Sequence, residues 1–431
     1  MAVSRTRRHA RSSVLLVLIA SAMVLILAAC GQEDPTATPA PTATSTPVPG
    51  APTPEPTPTP DAAAVFQEEW DALIAAAQAE PELVLVLGGS AGRNYRPIAQ
   101  FFGEKFGISM VVSTGSGTAQ ANRVLAERQA GSYLVDILFV GPTSANERLI
   151  PAEALDPLAE QFIHPDVLDT SLWYKGQYWW ADVDQRYVFS LSAQAGPIQS
   201  MRYNTDLMTQ ADLDGINSVW DYVDPARFAN KIVAITPLTG GAGGTYYEAY
   251  VHPDIGREWV DAFVAPELGV TFLQDFRQIV DGVAKGTYHF GTAIGSAGRD
   301  LDALAELGVP VEKFPCTVAN VCVTEFKEGG VISASGSSSN FMIPTNRPNP
   351  NAAKLWVNWF LSQEGQTVMH TMAEQDPNPT LRTDVTEWGK TLPYERRVPG
   401  AEYFFFSSDP AYTVLREEAL QYAKDAYNAV R

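Results

Sequence analysis

Three apolar runs, each ending in a loop of small residues ahead of a helical pattern, constrain this chain more than any other feature. Leu83-Val84-Leu85-Val86-Leu87 leads into Gly88-Gly89-Ser90-Ala91-Gly92. Ile108-Ser109-Met110-Val111-Val112 leads into Ser113-Thr114-Gly115-Ser116-Gly117, and residues 135–140 lead into Gly141-Pro142-Thr143-Ser144. A short continuous apolar run is the pattern of a strand buried on both faces, as in a parallel sheet covered by helices. Parallel neighbours need crossover connections. All three loops therefore emerge at the carboxyl ends of the strands, where open α/β sheets bind ligands. A second unit follows: a strand at 231–235, a glycine loop at 239–245, a helix opened by Tyr246-Tyr247-Glu248, a helix around 273–284 and a segment at 291–296. Residues 329–342 are apolar and serine-rich, 351–372 form a strong helix pattern, and 416–430 form a terminal helix. At 431 residues the chain exceeds what one hydrophobic core usually supports, so two lobes are expected.

The N-terminus has a different logic. Arg5, Arg7, Arg8 and Arg11 precede an apolar run at 14–29, which reads as a secretory signal. The run falls short of the about 20 residues of a bilayer span. Leu27-Ala28-Ala29-Cys30 resembles the lipobox of bacterial lipoproteins. That resemblance implies that 1–29 is a signal peptide and that Cys30 is lipidated and becomes the new N-terminus. Residues 30–62 follow as a Thr-Pro-rich linker with almost no large apolar side chains, too poor in burial to offset its ordering entropy. In an oxidising compartment Cys316 and Cys322 close a short disulfide loop or stay as two reduced core thiols. Too few ligands stand near them for a metal site. The net charge of −19 repels nucleic-acid phosphates, although a cleft can oppose the net charge.

Two motifs bear on chemistry. Gly88-Gly89-Ser90-Ala91-Gly92 fits the G-x-S-x-G elbow of serine hydrolases, but it sits on the first strand of its domain, and nothing around His370 suggests a triad partner. Gly115-Ser116-Gly117 is half of a dinucleotide fingerprint, with Gln120 at the third glycine position, and no cofactor is expected. Both read better as helix N-termini whose exposed N–H groups take anions. The same holds for Thr143 and for Gly243-Gly244-Thr245, while the plain alternative at each is a helix cap. Arg93, Arg123, Arg186 and Arg299 lie in or beside these loops as candidate partners of an anion, against ordinary surface arginines or internal salt bridges. Tyr246 and Tyr247 are candidate cleft aromatics.

Several blocks carry a wider resemblance. They include Glu69-Trp70-Asp71-Ala72-Leu73, Gly115-Ser116-Gly117 ahead of Leu125-Ala126-Glu127-Arg128, Tyr203-Asn204-Thr205-Asp206 and Trp220-Asp221-Tyr222-Val223-Asp224-Pro225. Asn349-Pro350-Asn351-Ala352-Ala353-Lys354-Leu355, Asn358-Trp359-Phe360-Leu361-Ser362 and Leu381-Arg382-Thr383-Asp384 complete the series. In order and spacing they resemble bacterial extracellular solute-binding proteins of ABC importers, in particular the iron(III)-type branch with the type II periplasmic-binding fold. The resemblance implies an α/β fold of two lobes joined by two crossing strands, near 187–203 and 331–343, that close on a ligand. Lobe 1 would comprise 63–190 and 331–385, and lobe 2 would comprise 191–330 and 386–431. It also implies a monomeric, non-enzymatic binder outside the cytoplasm, lipid-anchored through Cys30, that hands a small solute to an ABC permease. Iron-binding members carry adjacent tyrosines where this chain has Gly295-Ser296-Ala297-Gly298-Arg299. Ser296 and Arg299 there point to an anionic solute. Iron(III) binding, a ligand-binding sensor subunit and a secreted hydrolase using Ser90 are the alternatives.

Overall fold

The computed structural model describes residues 61–239, 244–295, 297–315, 326–375 and 377–431. Cys30, the signal segment, the linker as far as Pro60, Gly243, Ser296, Cys316 and Cys322 lie outside the described residues, whereas Asp61 and Ala62, expected in the linker, cap and open the first helix. Among the described residues no helix is long and apolar enough to cross a membrane.

The first lobe grows from β1, Leu83–Gly88, every residue of which is buried. It lies between β2, Met110–Gly115, and β3, Ile137–Phe139, and is parallel to both, while the two-residue strands β4, Leu155–Asp156, and β5, Phe189–Ser190, pair antiparallel with Ile343–Pro344 and Asn340–Phe341 respectively. Helices α1 (Ala62–Gln78), α2 (Gly89–Asn94), α3 (Arg96–Phe106) and α4 (Gly117–Gln129) supply the crossovers and cover. Asp61 caps α1 by accepting from the Ala63 N–H at 3.1 Å. A later helix of the lobe, Pro350–Leu361, is buried nearly all round and is a core helix rather than an amphipathic one. Its Trp356 ring lies 4.9 Å from Phe102 and 5.2 Å from Phe360.

A buried carboxylate ties sheet to helix. Asp136 accepts from the Val84 N–H at 2.8 Å, the Asn349 N–H at 2.8 Å and Asn349 Nδ2 at 2.9 Å. Burial pushes its pKa up, against the pull of these hydrogen bonds.

The second lobe holds a five-stranded sheet. Its strands are β7 (Met201–Asn204), β8 (Ile232–Ile235), β9 (Thr271–Leu273), β10 (Phe290–Gly291) and β11 (Val311–Phe314), in the order β11-β7-β10-β8-β9. β8 is parallel to β9 and β10, whereas β7 is antiparallel to β10 and β11. Helices Gly244–Val251, Phe276–Ala284 and Ala297–Glu306 belong to this lobe. The terminal helix Arg416–Ala429 packs on Gly244–Val251, through Ala419 and Leu420 against Tyr247, Val251 and Phe406.

The chain passes between lobes along β6 (Gln194–Pro197) and β12 (Gly330–Ser333), which pair antiparallel, and the segment Tyr403–Phe404 adds a third strand parallel to β12. Ala195 and Ile332 belong to the first core, while Ile198 and Val331 belong to the second. After β12 the chain re-enters the first lobe, where Met342 bridges antiparallel to Leu138 of β3.

Asp136→Ala leaves three donors without their acceptor in a buried site. At about 1–3 kcal/mol for each orphaned buried group, the substitution is expected to lower the stability of the folded part by several kcal/mol. Urea unfolding monitored by tryptophan fluorescence measures this, and an unchanged midpoint would contradict it.

Candidate functional site

The carboxyl ends of the first-lobe strands converge at glycines. A Cβ placed on Gly88 would lie 2.8 Å from the Gly117 Cα and 2.9 Å from the Phe139 carbonyl oxygen, so only glycine allows the three loops to meet. Gly89, at φ +50°, then turns the chain into α2. Ser90 at this turn is held by other serines. Its Oγ lies 3.1 Å from Ser337 Oγ, donates to Ser338 Oγ at 2.9 Å and accepts from the Ser338 N–H at 3.1 Å. The serine-rich segment after β12 is therefore the floor on which the loops rest. It also reaches the second lobe. A Cβ on Gly141 would lie 3.4 Å from the Ser335 carbonyl oxygen, and one on Gly244 would lie 3.7 Å from Ser335 Cβ. One stretch of chain thus touches the third loop of the first lobe and the start of helix Gly244–Val251 in the second.

Two arginines of the second lobe cross the junction. Arg299, in the first turn of Ala297–Glu306, donates to Asn378 Oδ1 at 2.6 Å and pairs with Glu395 at 2.9 Å. Asn378 in turn donates to Ser339 Oγ at 2.7 Å. Arg416, at the start of the terminal helix, donates to Thr143 Oγ1 and lies over the Tyr247 ring at 5.3 Å.

Glu248 lies one turn along the helix from Gly244 and Thr245. It accepts from the Gln199 N–H at 3.3 Å, and Gln199 Nε2 donates to the Thr245 carbonyl at 2.7 Å. Burial pushes the Glu248 pKa up to about 8, opposed by the Gln199 N–H.

Of the residues singled out from sequence, Ser90, Gly117, Thr143, Gly244 and Arg299 lie around this junction. Thr245 adjoins it through its carbonyl. Gly115 ends β2 against Gln120. Ser116 is the N-cap of α4, accepting from the Ala119 N–H at 3.2 Å, as its plainer reading held. Arg93 is exposed on the last turn of α2. Arg186 is exposed in another loop, over the Tyr187 ring at 5.0 Å, and is not brought to the junction. Arg123 is engaged by Glu127 at 2.6 Å and Ser113 at 2.8 Å. Tyr246 and Tyr247 are corrections. Both are fully buried, the Tyr246 hydroxyl donates to the Ile235 carbonyl, and that of Tyr247 donates to the Phe406 carbonyl at 2.8 Å. Neither phenol is placed to face a ligand or ligate iron. Sequence reasoning missed Arg416, Asn378, Glu395 and the roles of Ser335, Ser337 and Ser338. The serine enrichment of 329–342 was the available signal for the last three.

Among the described residues, the hydrogen-bond partners of the Ser90 hydroxyl are serines, not a histidine or carboxylate. His370 is buried elsewhere, with Nδ1 2.6 Å from Thr391 Oγ1 and Nε2 accepting from the Thr380 N–H at 3.2 Å. Among the described residues no group of three or more His, Cys, Asp or Glu side chains is arranged to hold a metal ion.

Two α/β lobes joined by a pair of crossing strands, with strand-end loops facing the junction, define a two-lobed binding protein of the type II periplasmic class. The sequence matches the profile of bacterial extracellular solute-binding proteins over residues 98–393, and the chain belongs to that family. No curated protein matches it. Among solved structures, it is similar to iron-bound HitA of Pseudomonas aeruginosa, at 17% identity and TM-score 0.54, covering 80% of this chain and 99% of that one. It is similar to the periplasmic binding protein AfuA of Actinobacillus pleuropneumoniae with fructose-6-phosphate bound, at 14% identity and TM-score 0.55, covering 80% and 98%. Trichodesmium FutA, in complex with iron and citrate, matches at 16% identity and TM-score 0.54, covering 80% and 98%. The family places the protein outside the cytoplasm, in a binding role.

Two outcomes follow. Gly88→Ala drives a methyl group into backbone on two sides. It is expected to lower the melting temperature and to separate the loops around Ser90, seen as faster amide exchange at 88–91 and 116–118. Exchange unchanged in both segments would contradict this. The second concerns acid. Burial, aided by Arg396 and Arg397, pushes the His370 pKa down to about 3. The unfolded chain protonates this imidazole below about pH 6.5 while the fold keeps it neutral, so its contribution is lost as pH falls from about 6.5 toward about 3, by at most about 1.4 kcal/mol per pH unit. The stability gap between wild type and His370→Gln is therefore expected to shift in favour of the variant across that window. A gap independent of pH would refute it.

Proposed function

We propose that this protein is a membrane-tethered receptor that captures a small anionic solute by lobe closure and delivers it to an ABC permease. The observation that carries the reading is the pair of arginines, Arg299 and Arg416, with which the second lobe meets polar side chains of the first. Placing guanidinium groups at the junction of an acidic protein favours an anionic guest, through charge and bidentate geometry. Glu248, with its pKa raised to about 8, is largely neutral near pH 7 and does not oppose such a guest. Helices Gly117–Gln129 and Ala297–Glu306 turn their N-termini to the same region and add donors suited to anions. Tyr246 and Tyr247, held in the core, argue against iron(III) as cargo.

The mechanism needs no bond chemistry. A ligand that contacts both lobes interacts differently with open and closed arrangements, and that difference drives closure. Residues 63–190 with 331–385 form the first lobe in this reading, and 191–330 with 386–431 form the second, with Tyr403 and Phe405 reaching back into the first core. Lipid on Cys30 and the linker of 30–62 would hold a monomeric, non-enzymatic receptor at high effective concentration beside its permease. A sensor role would use the same closure. Neighbouring genes for a permease and an ATPase separate the two.

The test is a thermal-shift screen of the delipidated protein against phosphates, phosphonates, carboxylates and iron(III). The proposal expects at least one organic anion to raise the melting temperature by several degrees at a concentration far above its Kd. A shift with iron(III) alone would overturn the choice of solute.

A further inference from the structure

Resting on the anionic-solute reading above, we propose that Arg416, on the C-terminal helix, is the guanidinium that binds the anionic group of the solute and couples that binding to lobe closure. Four features of the side chain lead there.

Like Arg397, it is a shielded arginine without a carboxylate partner among the described residues, but Arg397 has a sealed, unpartnered Nη1 and Arg416 has none. Arg202, Arg347 and Arg382 each meet a carboxylate, at 2.7, 2.7 and 2.6 Å respectively. Arg299 meets Glu395 at 2.9 Å. Arg416 meets no carboxylate within ion-pair distance among the described residues. The charged group that acts on it through space is the exposed Glu147, since burial keeps the Tyr247 phenol protonated and neutral. Burial pulls its pKa down, so the site disfavours its charge more than bulk water does.

It also stands at the wrong end of its helix. The N-terminus of Arg416–Ala429 carries the positive end of the dipole, which suits Glu417 and Glu418 beside it and not a cation. A local preference broken without a compensating ion pair marks a position held for function.

Its pose is set in advance. The guanidinium lies 5.3 Å from the Tyr247 ring centroid, and that ring is fixed by the hydroxyl's 2.8 Å bond to the Phe406 carbonyl. Finally, among the described residues its side chain's one hydrogen bond goes to the uncharged Thr143 Oγ1 of the opposite lobe. A guanidinium has five N–H groups, and none of those on Arg416 is a sealed, unpartnered donor. Its remaining donors are therefore not sealed away from solvent. Thr143 belongs to the loop that packs beside Gly117, at the N-terminus of α4. An anion held there by Arg416 would share the first-lobe donors and draw the two lobes together.

The experiment uses the intact delipidated protein. Inorganic phosphate, glucose 6-phosphate and citrate are titrated into wild type, Arg416→Met and Arg416→Lys, with tryptophan fluorescence for affinity and melting temperature without added anion for stability. The expected result is that Arg416→Met weakens the best wild-type probe by about 10- to 100-fold. Arg416→Lys, which keeps the charge and loses the fork, falls between the two. Both variants melt without added anion at or above the wild-type temperature, since an unpaired charge has been removed or made easier to solvate. Affinity of Arg416→Met within about two-fold of wild type overturns the assignment while the anionic reading stands. If Arg416→Met does not fold, Arg416→Lys decides: unchanged affinity overturns the assignment, and weakened affinity supports it. Wild type that binds none of the probes but binds iron(III) overturns the anionic reading, and this inference with it.

Discussion

The antiparallel pairing of β6 with β12 is the constraint on which the rest of the structure depends. Its four residue pairs run from Gln194↔Ser333 to Pro197↔Gly330. The transition between cores falls within or beside this ladder, at 195–198 on one strand and 331–332 on the other. Each lobe thus keeps its own apolar interior, and the backbone between them is short and hydrogen-bonded. Such a connection lets two rigid bodies rotate with little cost to either core. Ser335, Ser337, Ser338 and Ser339 follow the second crossing directly, and this segment touches the loops at Ser90, Gly141 and Gly244.

Electrostatics give the junction its character. A chain of net charge −19 places two arginine side chains, Arg299 and Arg416, where its lobes meet, and a local field can oppose the global one. The two inter-lobe arginines differ in kind. Arg299 is anchored by the fully buried Glu395, so its position is specified by the protein. Arg416 leans on an aromatic face and a threonine, so most of its hydrogen-bonding capacity is left for a guest.

Much of the fold was legible in the sequence because burial on both faces leaves a simple mark. The run Leu83-Val84-Leu85-Val86-Leu87 could be little else than a central strand, and the loops at Gly88, Gly115 and Gly141 followed from parallel topology. Side chains at the junction were harder. Tyr246 and Tyr247 looked like cleft aromatics because a glycine loop precedes them. Their direction depends on the phase of helix Gly244–Val251 against the sheet, which turns both into the core. Arg186 had the composition of a ligand residue and lies in an exposed loop away from the junction. The partners Arg299 and Glu395 are 96 positions apart, and Thr143 and Arg416 are 273 apart. No local pattern encodes such pairings, since they arise only when the terminal segment docks on the second lobe.

Native mass spectrometry of the protein purified from its exported form tests the central claim most directly. Comparing the folded mass with the denatured mass reads what the lobes hold. The account predicts one non-covalent organic anion per chain, released on unfolding. A stoichiometric mass excess matching iron(III) alone, or a covalent adduct on Ser90 that survives denaturation, would contradict it.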